Sequence, residues 1–186
     1  RGVAPYSVPE YRDSFIVKSL FIANSVRDSI ARGEGQCIPG FLGEIPEFFR
    51  QGLIPLDVVF LNVSLPDKDG YCSYGVSADL TVSAVECAKV VIAQVNKQMP
   101  YSYGDALIHI SKLDACVEVD EPLVALPIAN PNEKEQQIGR YIAEQIPDGA
   151  TLQIGVGGIP NAVLTQLTSH KNLGLHTEAM TDGVVP

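Results

Sequence analysis

Apolar positions cluster in two nearly unbroken runs, at 56–63 and at 89–95. In the first, Leu56, Val58, Val59, Phe60, Leu61 and Val63 are interrupted only by Asp57 and Asn62. Such a run predicts a strand buried on both faces, as in a parallel sheet. The second, with Val90, Val91, Ile92, Ala93 and Val95, predicts another. Between them lie a polar, turn-rich loop at 64–77 and a helical stretch at 79–88, with Ser77 as its expected cap. Strand, loop, helix and strand make a βαβ unit.

Helical periodicity appears elsewhere. Positions 24–32 predict a short helix stopped by Gly33 and Gly35, followed by an extended piece at 36–39. Positions 43–51 predict a second helix, with Ile45, Phe48 and Phe49 on one face and Gly52 as its stop. The clearest amphipathic helix spans 133–146. Ile138, Tyr141, Ile142, Gln145 and Ile146 define its face, Asn132 is its N-cap, and Pro147, Asp148 and Gly149 end it. Positions 107–110 and 115–119 alternate like short strands, and Pro122, Pro127 and Pro131 mark turns. The remainder reads as a strand at 151–154, a glycine loop at 155–159, a helix at 160–167 and a short strand at 173–176. Positions 1–12 hold Pro5 and Pro9, show no periodicity and read as an arm. The expected fold is a three-layer α/β domain with a mostly parallel sheet that includes 58–63, 90–95 and 152–154. A linker near 130–135 divides the chain into 1–131 and a second α/β unit at 132–186.

Composition narrows the function. Of 186 residues, 46% are hydrophobic and 19% charged, a globular balance. No apolar run approaches the roughly 20 residues of a membrane span, and the first residues lack the apolar core of a signal peptide. The net charge of −9 argues against a nucleic-acid or anionic-membrane partner, because no basic cluster exists to neutralise phosphates. It leaves room for an anionic small molecule held at a local site. Cys37, Cys72, Cys87 and Cys116 show no metal-type spacing, so reduced structural thiols and no metal site are expected, with Cys87 a small buried group on a helix. A reducing compartment follows: the cytoplasm, or the mitochondrial matrix in a eukaryote.

Candidate chemistry concentrates near the C-terminal end. Gly155, Val156, Gly157, Gly158 and Ile159 join a strand to a helix that begins with Pro160. Glycines let backbone N–H groups approach a ligand, and the free N–H groups of a first helical turn attract anions. Proline suits the first helical position, where its missing N–H is not needed. The spacing is neither of the usual nucleotide fingerprints; a glycine-rich turn with no ligand is the other reading. Glu178 follows a short strand, at the edge where open α/β sheets bind ligands. Its carboxylate can serve as a nucleophile, or it can charge the N-terminus of a following helix.

Several segments together carry a resemblance. Positions 57–73, running through Asp67, Asp69 and Gly70, resemble the strand-and-loop signature of the acetyl-CoA hydrolase/transferase family, which includes 4-hydroxybutyrate and acetate CoA-transferases. Positions 91–100 resemble its next strand, 155–160 its CoA-binding loop, and His176, Thr177 and Glu178 the stretch holding its catalytic glutamate. Gln94 stands where a glutamate is common and Leu65 where a proline is common. The resemblance implies CoA transfer between an acyl-CoA and a small carboxylate through a glutamyl-CoA thioester on Glu178. Residues 155–159 would contact CoA, a substrate, with no covalently bound cofactor. Family members are longer, with two similar α/β halves, and the full-length protein is expected to be a homo-oligomer. On that basis the chain starts after the first strands of one half, stops shortly past Glu178, and is expected to be inactive alone. An acetyl-CoA hydrolase using the same glutamate, and a non-catalytic anion-binding domain, are the alternatives.

Other polar residues have weaker claims. His109 reads as a strand residue and His170 as an exposed helix-end residue, while His176 shares a face with Glu178 if the strand continues. Asp67 and Asp69 read as turn residues, with a pocket-lining loop as the alternative. Asn96 and Met99 end a strand where ligands bind and are candidates to touch the acyl or pantetheine part. Ser64, Ser73 and Ser77 lack the context of a nucleophilic serine.

Overall fold

The computed structural model describes residues 5–125 and 130–185, so the turn expected at Pro127 lies outside the described residues. The chain divides into two compact units, Arg1–Leu123 and Val124–Pro186. In chain order the first contains β1 (Val17–Ser19), α1 (Asn24–Ala31), β2 (Gly35–Cys37), α2 (Ile45–Arg50), β3 (Val58–Val63), β4 (Tyr71–Ser73), α3 (Thr81–Cys87), β5 (Val90–Asn96), β6 (Leu107–His109) and β7 (Ala115–Val119). The second contains α4 (Glu133–Ala143), β8 (Thr151–Leu152), α5 (Gly158–Gln166) and β9 (Gly174–Leu175). The class is α/β with mostly parallel strands: β1 with β2, β3 with β5 and β7, and β8 with β9 are parallel, and only β4 with β6 is antiparallel among these pairs. The expected strand at 152–154 is not in the sheet of β3 and β5. It pairs with β9 instead, in a sheet of its own.

The three-stranded sheet has the order β3-β5-β7, with Val58 opposite Val90 and Ile92 opposite Ala115. At its start Lys89 Nζ lies 2.7 Å from Asp57 Oδ1, an exposed pair that marks the register. One face is closed. Leu61, Val63, Val91, Ala93 and Val95 pack with Cys72, Tyr74 and Ile108, flanked by Val82 and Val85 from α3. The other face is not. Phe60 is 78% exposed, and Val58 and Val117 are exposed beside it. The expectation that 56–63 is buried on both faces is therefore corrected. An unbroken apolar run records what each face can bury, whereas the packing elements described here cover one face. Helix α3 also begins later than expected and is not capped by Ser77. Asp79 Oδ1 accepts from the Leu80 N–H at 2.6 Å and closes the turn before it.

In the second unit the expected N-cap holds. Asn132 Oδ1 accepts from the Glu135 N–H (3.0 Å), and Glu135 Oε2 accepts from the Asn132 N–H (2.7 Å), a reciprocal capping box. The expected apolar face of α4 is corrected. Ile138, Tyr141 and Ile142 are exposed, while Gly139 and Ala143 are buried. The reason is a close helix crossing. A Cβ at Gly139 would lie 2.7 Å from the carbonyl carbon of Ala162 and 2.8 Å from its Cβ. Small residues one turn apart let α4 and α5 approach backbone to backbone. Helix α4 also ends at Ala143, before the expected stop at 147–149.

This contact yields a stability prediction. Gly139→Ala should gain about 1 kcal/mol in helix propensity, yet the unit should lose stability by roughly 1–3 kcal/mol from overpacking against backbone. Gly43→Ala, at a site with open space around it, is the control and should be near neutral. Equilibrium urea unfolding followed by circular dichroism reads both; a Gly139→Ala protein as stable as the parent would refute the close-contact account.

Candidate functional site

Strands β8 and β9 pair through Thr151 with Gly174 and Leu152 with Leu175. Backbone bonds extend the pairing at both ends. The Gly174 N–H donates to the Ala150 carbonyl and the His176 N–H to the Leu152 carbonyl, each at 2.9 Å. One residue further on, a side chain takes over. The Thr177 hydroxyl accepts from the Ile154 N–H at 3.1 Å and donates to the Ile154 carbonyl at 2.7 Å, with the Ala179 carbonyl 3.1 Å away as a second acceptor. The glycine loop begins immediately after Ile154, and Glu178 follows Thr177. Two segments remote in sequence therefore leave the sheet from adjacent positions.

The loop runs from Gly155 into α5. Gly157 has φ +143°, a backbone conformation that side chains strongly disfavour, and it is the residue before the helix. The helix starts at Gly158, two residues earlier than expected, so Pro160 occupies its third position and not its first. The earlier helix start costs nothing physically. The first intrahelical bond is from the Asn161 N–H to the Gly157 carbonyl, at 3.1 Å, so a proline N–H would have had no partner at position 160 either. Among the described residues, the N–H groups of Gly155, Val156, Gly157, Gly158 and Ile159 have no acceptor. Val156 is 62% exposed, and Gly155, Ile159 and Pro160 line an apolar cleft of about 190 Å³ with Ile142, Ile146 and Leu152.

Glu178 is exposed, and among the described residues no hydrogen bond or ion pair engages its carboxylate. Its segment is held again just downstream. Thr181 Oγ1 lies 3.5 Å from Asn161 Oδ1 in the first turn of α5, and a Cβ at Gly183 would sit 3.2 Å from Leu164 Cδ1. The backbone of residues 177–183 is thus tied to Ile154 on one side of the glycine loop and to α5 on the other. Glu178 does not cap a helix; the next helical turn, Asp182–Val184, begins after Thr181.

One feature opposes a simple anion cradle. A Cβ on Gly158 would collide with the Glu135 carboxylate, which reaches the start of α5 while serving the cap of α4. Neither Glu135 nor Thr177 stood out as a site residue in the sequence. The three-residue spacing of Asn132 and Glu135 was the available cue for the first, and a hydroxyl residue directly before the glutamate for the second.

Several weaker candidates are resolved. Asn96 is 1% exposed, and its side chain bonds to backbone at both ends: Oδ1 accepts from the Gln98 (3.0 Å) and Glu121 (3.1 Å) N–H groups, and Nδ2 donates to the Glu121 carbonyl (2.8 Å). Met99 is buried against Gly75. Both are structural, contrary to the expected contact with acyl or pantetheine groups. Asp67 shapes the turn, with Oδ1 accepting from the Asp69 and Tyr71 N–H groups at 2.9 Å each, near Gly70 at φ +85°. Ser64 and Ser73 are buried and hydrogen-bonded to neighbouring backbone. His109 is in β6, as expected. His170 is partly buried and not exposed, because Nε2 donates to the Ile146 carbonyl at 2.9 Å. His176 is exposed. Cys72 is buried, Cys87 half-buried, and Cys37 and Cys116 exposed, all of them free thiols. No group of three or more His, Cys, Asp or Glu among the described residues is placed to hold a metal, and no described helix is long and apolar enough to cross a membrane.

Asp67 also accepts from the Tyr101 hydroxyl at 2.8 Å. The Tyr71 N–H, then that hydroxyl, hold its carboxyl below the usual range. Burial, then the bond to Asp67, pushes Tyr101 up to about 12. A raised tyrosine stabilises the fold below its ordinary value of about 10 and loses that contribution as pH rises through the folded value. An ultraviolet titration of phenolate absorbance should show late-ionising tyrosines, because burial also pushes Tyr74 up, and the share of Tyr101 should disappear in Tyr101→Phe. In Asp67→Asn it should move down without reaching the ordinary value, since burial, the larger cause, remains. An unchanged titration in Tyr101→Phe would disprove the assignment.

Comparison with known proteins gives a consistent set. The profile of the acetyl-CoA hydrolase/transferase N-terminal domain matches residues 2–127. The chain is 44% identical over 184 residues to a 4-hydroxybutyrate coenzyme A transferase of Clostridium kluyveri, covering 99% of this chain and 43% of that protein. It is 44% identical over 182 residues to a succinyl-CoA:acetate/propanoyl-CoA:succinate CoA transferase of Fasciola hepatica, covering 97% of this chain and 38% of that protein. The solved 4-hydroxybutyrate CoA-transferase of Porphyromonas gingivalis superposes with a TM-score of 0.78 at 46% identity, covering 95% of this chain and 46% of that one. The chain thus spans less than half the length of these relatives.

Proposed function

Because the chain belongs to the acetyl-CoA hydrolase/transferase family, we propose that the whole protein containing it transfers CoA between an acyl-CoA and a small carboxylate, with Glu178 as the covalent nucleophile. The observation that carries this reading is the shared edge of β8 and β9. There an uncommitted carboxylate follows one strand and a run of unpaired backbone N–H groups follows the other. The substrates are of the acetate, butyrate or 4-hydroxybutyrate class, by analogy with the relatives named above. Residues 132–186 begin the second α/β half, and the whole protein works as a homo-oligomer in the cytoplasm or, in a eukaryote, the mitochondrial matrix.

The reaction proceeds by two exchanges. The Glu178 carboxylate attacks the thioester carbonyl of the acyl-CoA, and collapse of the tetrahedral intermediate expels CoA thiolate and leaves a mixed anhydride. The thiolate attacks the glutamyl carbonyl, forming a glutamyl-CoA thioester and releasing the first carboxylate. A second carboxylate attacks that thioester, and the steps run in reverse to give the new acyl-CoA and free Glu178. Each attack creates an oxyanion. A preorganised donor is typically worth about 2.7–4 kcal/mol to such a state, and the N–H groups of residues 155–159 are the donors of this chain suited to that task or to holding CoA. A hydrolase would differ only in the last step, with water taking the place of the second carboxylate.

The test is covalent trapping. The whole protein, incubated with acetyl-CoA and then borohydride, should lose activity and carry a reduced Glu178 on peptide mass mapping. Glu178→Ala should abolish transfer. Glu178→Asp should retain at most about a hundredth of the rate, because a carboxylate one methylene shorter misplaces the reacting oxygen. Supplying acetate against water alone as acceptor separates transferase from hydrolase. Labelling of a different residue, or full activity in Glu178→Ala, would overturn the assignment of Glu178 as nucleophile; a whole protein that neither transfers nor hydrolyses would favour the non-catalytic reading.

A further inference from the structure

We infer that Thr177 is a positioning residue whose hydroxyl sets the distance between Glu178 and the glycine loop. The inference rests on the proposed role of Glu178 and adds to it the device that aims the carboxylate.

The geometry singles out this side chain. Regular backbone pairing between β8 and β9 stops at the bond from the His176 N–H to the Leu152 carbonyl. In a continuing parallel ladder the next groups of Ile154 would be met by backbone. Here one hydroxyl meets both, accepting from the Ile154 N–H and donating to the Ile154 carbonyl. The backbone of the glutamate segment is thereby released from the sheet at the point where it must turn. It nevertheless stays tied to the residue that starts the loop. Because Thr177 binds N–H and carbonyl of a single residue, it fixes Ile154 in orientation as well as in position. Gly155 inherits that orientation, and with it the direction of the first free N–H.

Nothing else described makes this tie. The downstream anchor, Thr181 to Asn161, is long at 3.5 Å and reaches α5, not the strand. Without the Thr177 hydroxyl, the Ile154 N–H and carbonyl would look for water, and Glu178 would be tethered to the sheet only through the His176 backbone bond. Loss of aim at a reacting carboxylate affects turnover more than ground-state binding of CoA, since the N–H groups of residues 156–159 are set by the helix start.

The experiment compares Thr177→Val, which keeps shape and removes the hydroxyl, with Thr177→Ser, which keeps the hydroxyl, both in the whole protein. Thr177→Val should lower kcat about tenfold to a hundredfold with KM for acetyl-CoA changed less than threefold, as expected for misplacement on the ångström scale. The Ile154 amide should exchange with solvent faster. Thr177→Ser should restore both to near the parent values. If Glu178 is labelled in the parent but Thr177→Val keeps full kcat, the positioning role is overturned and the nucleophile assignment stands. If both variants lose activity equally, the hydroxyl alone does not set the position, and the inference fails as well. If the parent is not labelled on Glu178, the functional reading itself fails and takes this inference with it.

Discussion

A parallel strand pair cannot be closed by a tight turn; the chain must travel out over a helix and return. Here that constraint is met by the shortest of elements. Thr151–Leu152 and Gly174–Leu175 pair in parallel, and α5 makes the crossover between them. The candidate site follows from this arrangement. Parallel strands point their C-terminal ends the same way, so whatever follows β8 and whatever follows β9 emerge side by side. The glycine loop follows one and Glu178 the other. A hairpin would have sent them to opposite ends. Because the ladder is so brief, hydrogen bonds outside it bear a large share of the alignment: Gly149 with Lys171 before it, and His176 and Thr177 after it.

The same economy governs how α5 is seated. Its N-terminus has to lie close behind the loop for the free N–H groups to share one surface. Gly139 and Ala162 allow α4 to press against α5 with no side chain between them. The closeness has an electrostatic consequence. It brings the capping carboxylate of Glu135 to Gly158, where it already neutralises part of the positive end of the helix. Cap, crossing and loop are therefore coupled through one pair of helices.

What the sequence made legible was pattern. The strands at 58–63 and 90–95, their parallel pairing, the N-cap at Asn132 and the strand-loop-helix order around residue 155 were all readable from hydrophobic runs and turn residues. What it concealed was partnership. The apolar run at 56–63 is equally consistent with one covered face or two, and Phe60 lies on the open one. The isoleucines and Tyr141 of α4 suggest a buried stripe, but a glycine and an alanine one turn apart make the real contact, because shape and not hydrophobicity decides which faces meet. Asn96 looked like a ligand contact at a strand end; its three hydrogen bonds to residues 98 and 121 depend on a return of the chain that no local pattern announces. The three residues of β1 are too few to show a period. Thr177 was visible as a residue and invisible as a bridge, since its partner is 23 positions away.

Charge argues for what the loop holds. Positions 141–170 contain no Lys or Arg, nor do positions 172–186. A phosphate dianion is ordinarily met by such side chains together with a helix N-terminus. Here the flanking stretches of sequence supply none, and the carboxylate of Glu135 lies against Gly158. Under the proposed function, that environment suits a carbonyl oxygen or a singly charged, transient oxyanion better than the phosphates of CoA. Backbone donors stabilise such an oxyanion without holding a permanent negative charge between turnovers, and they leave the attacking carboxylate free of a cation that would blunt it.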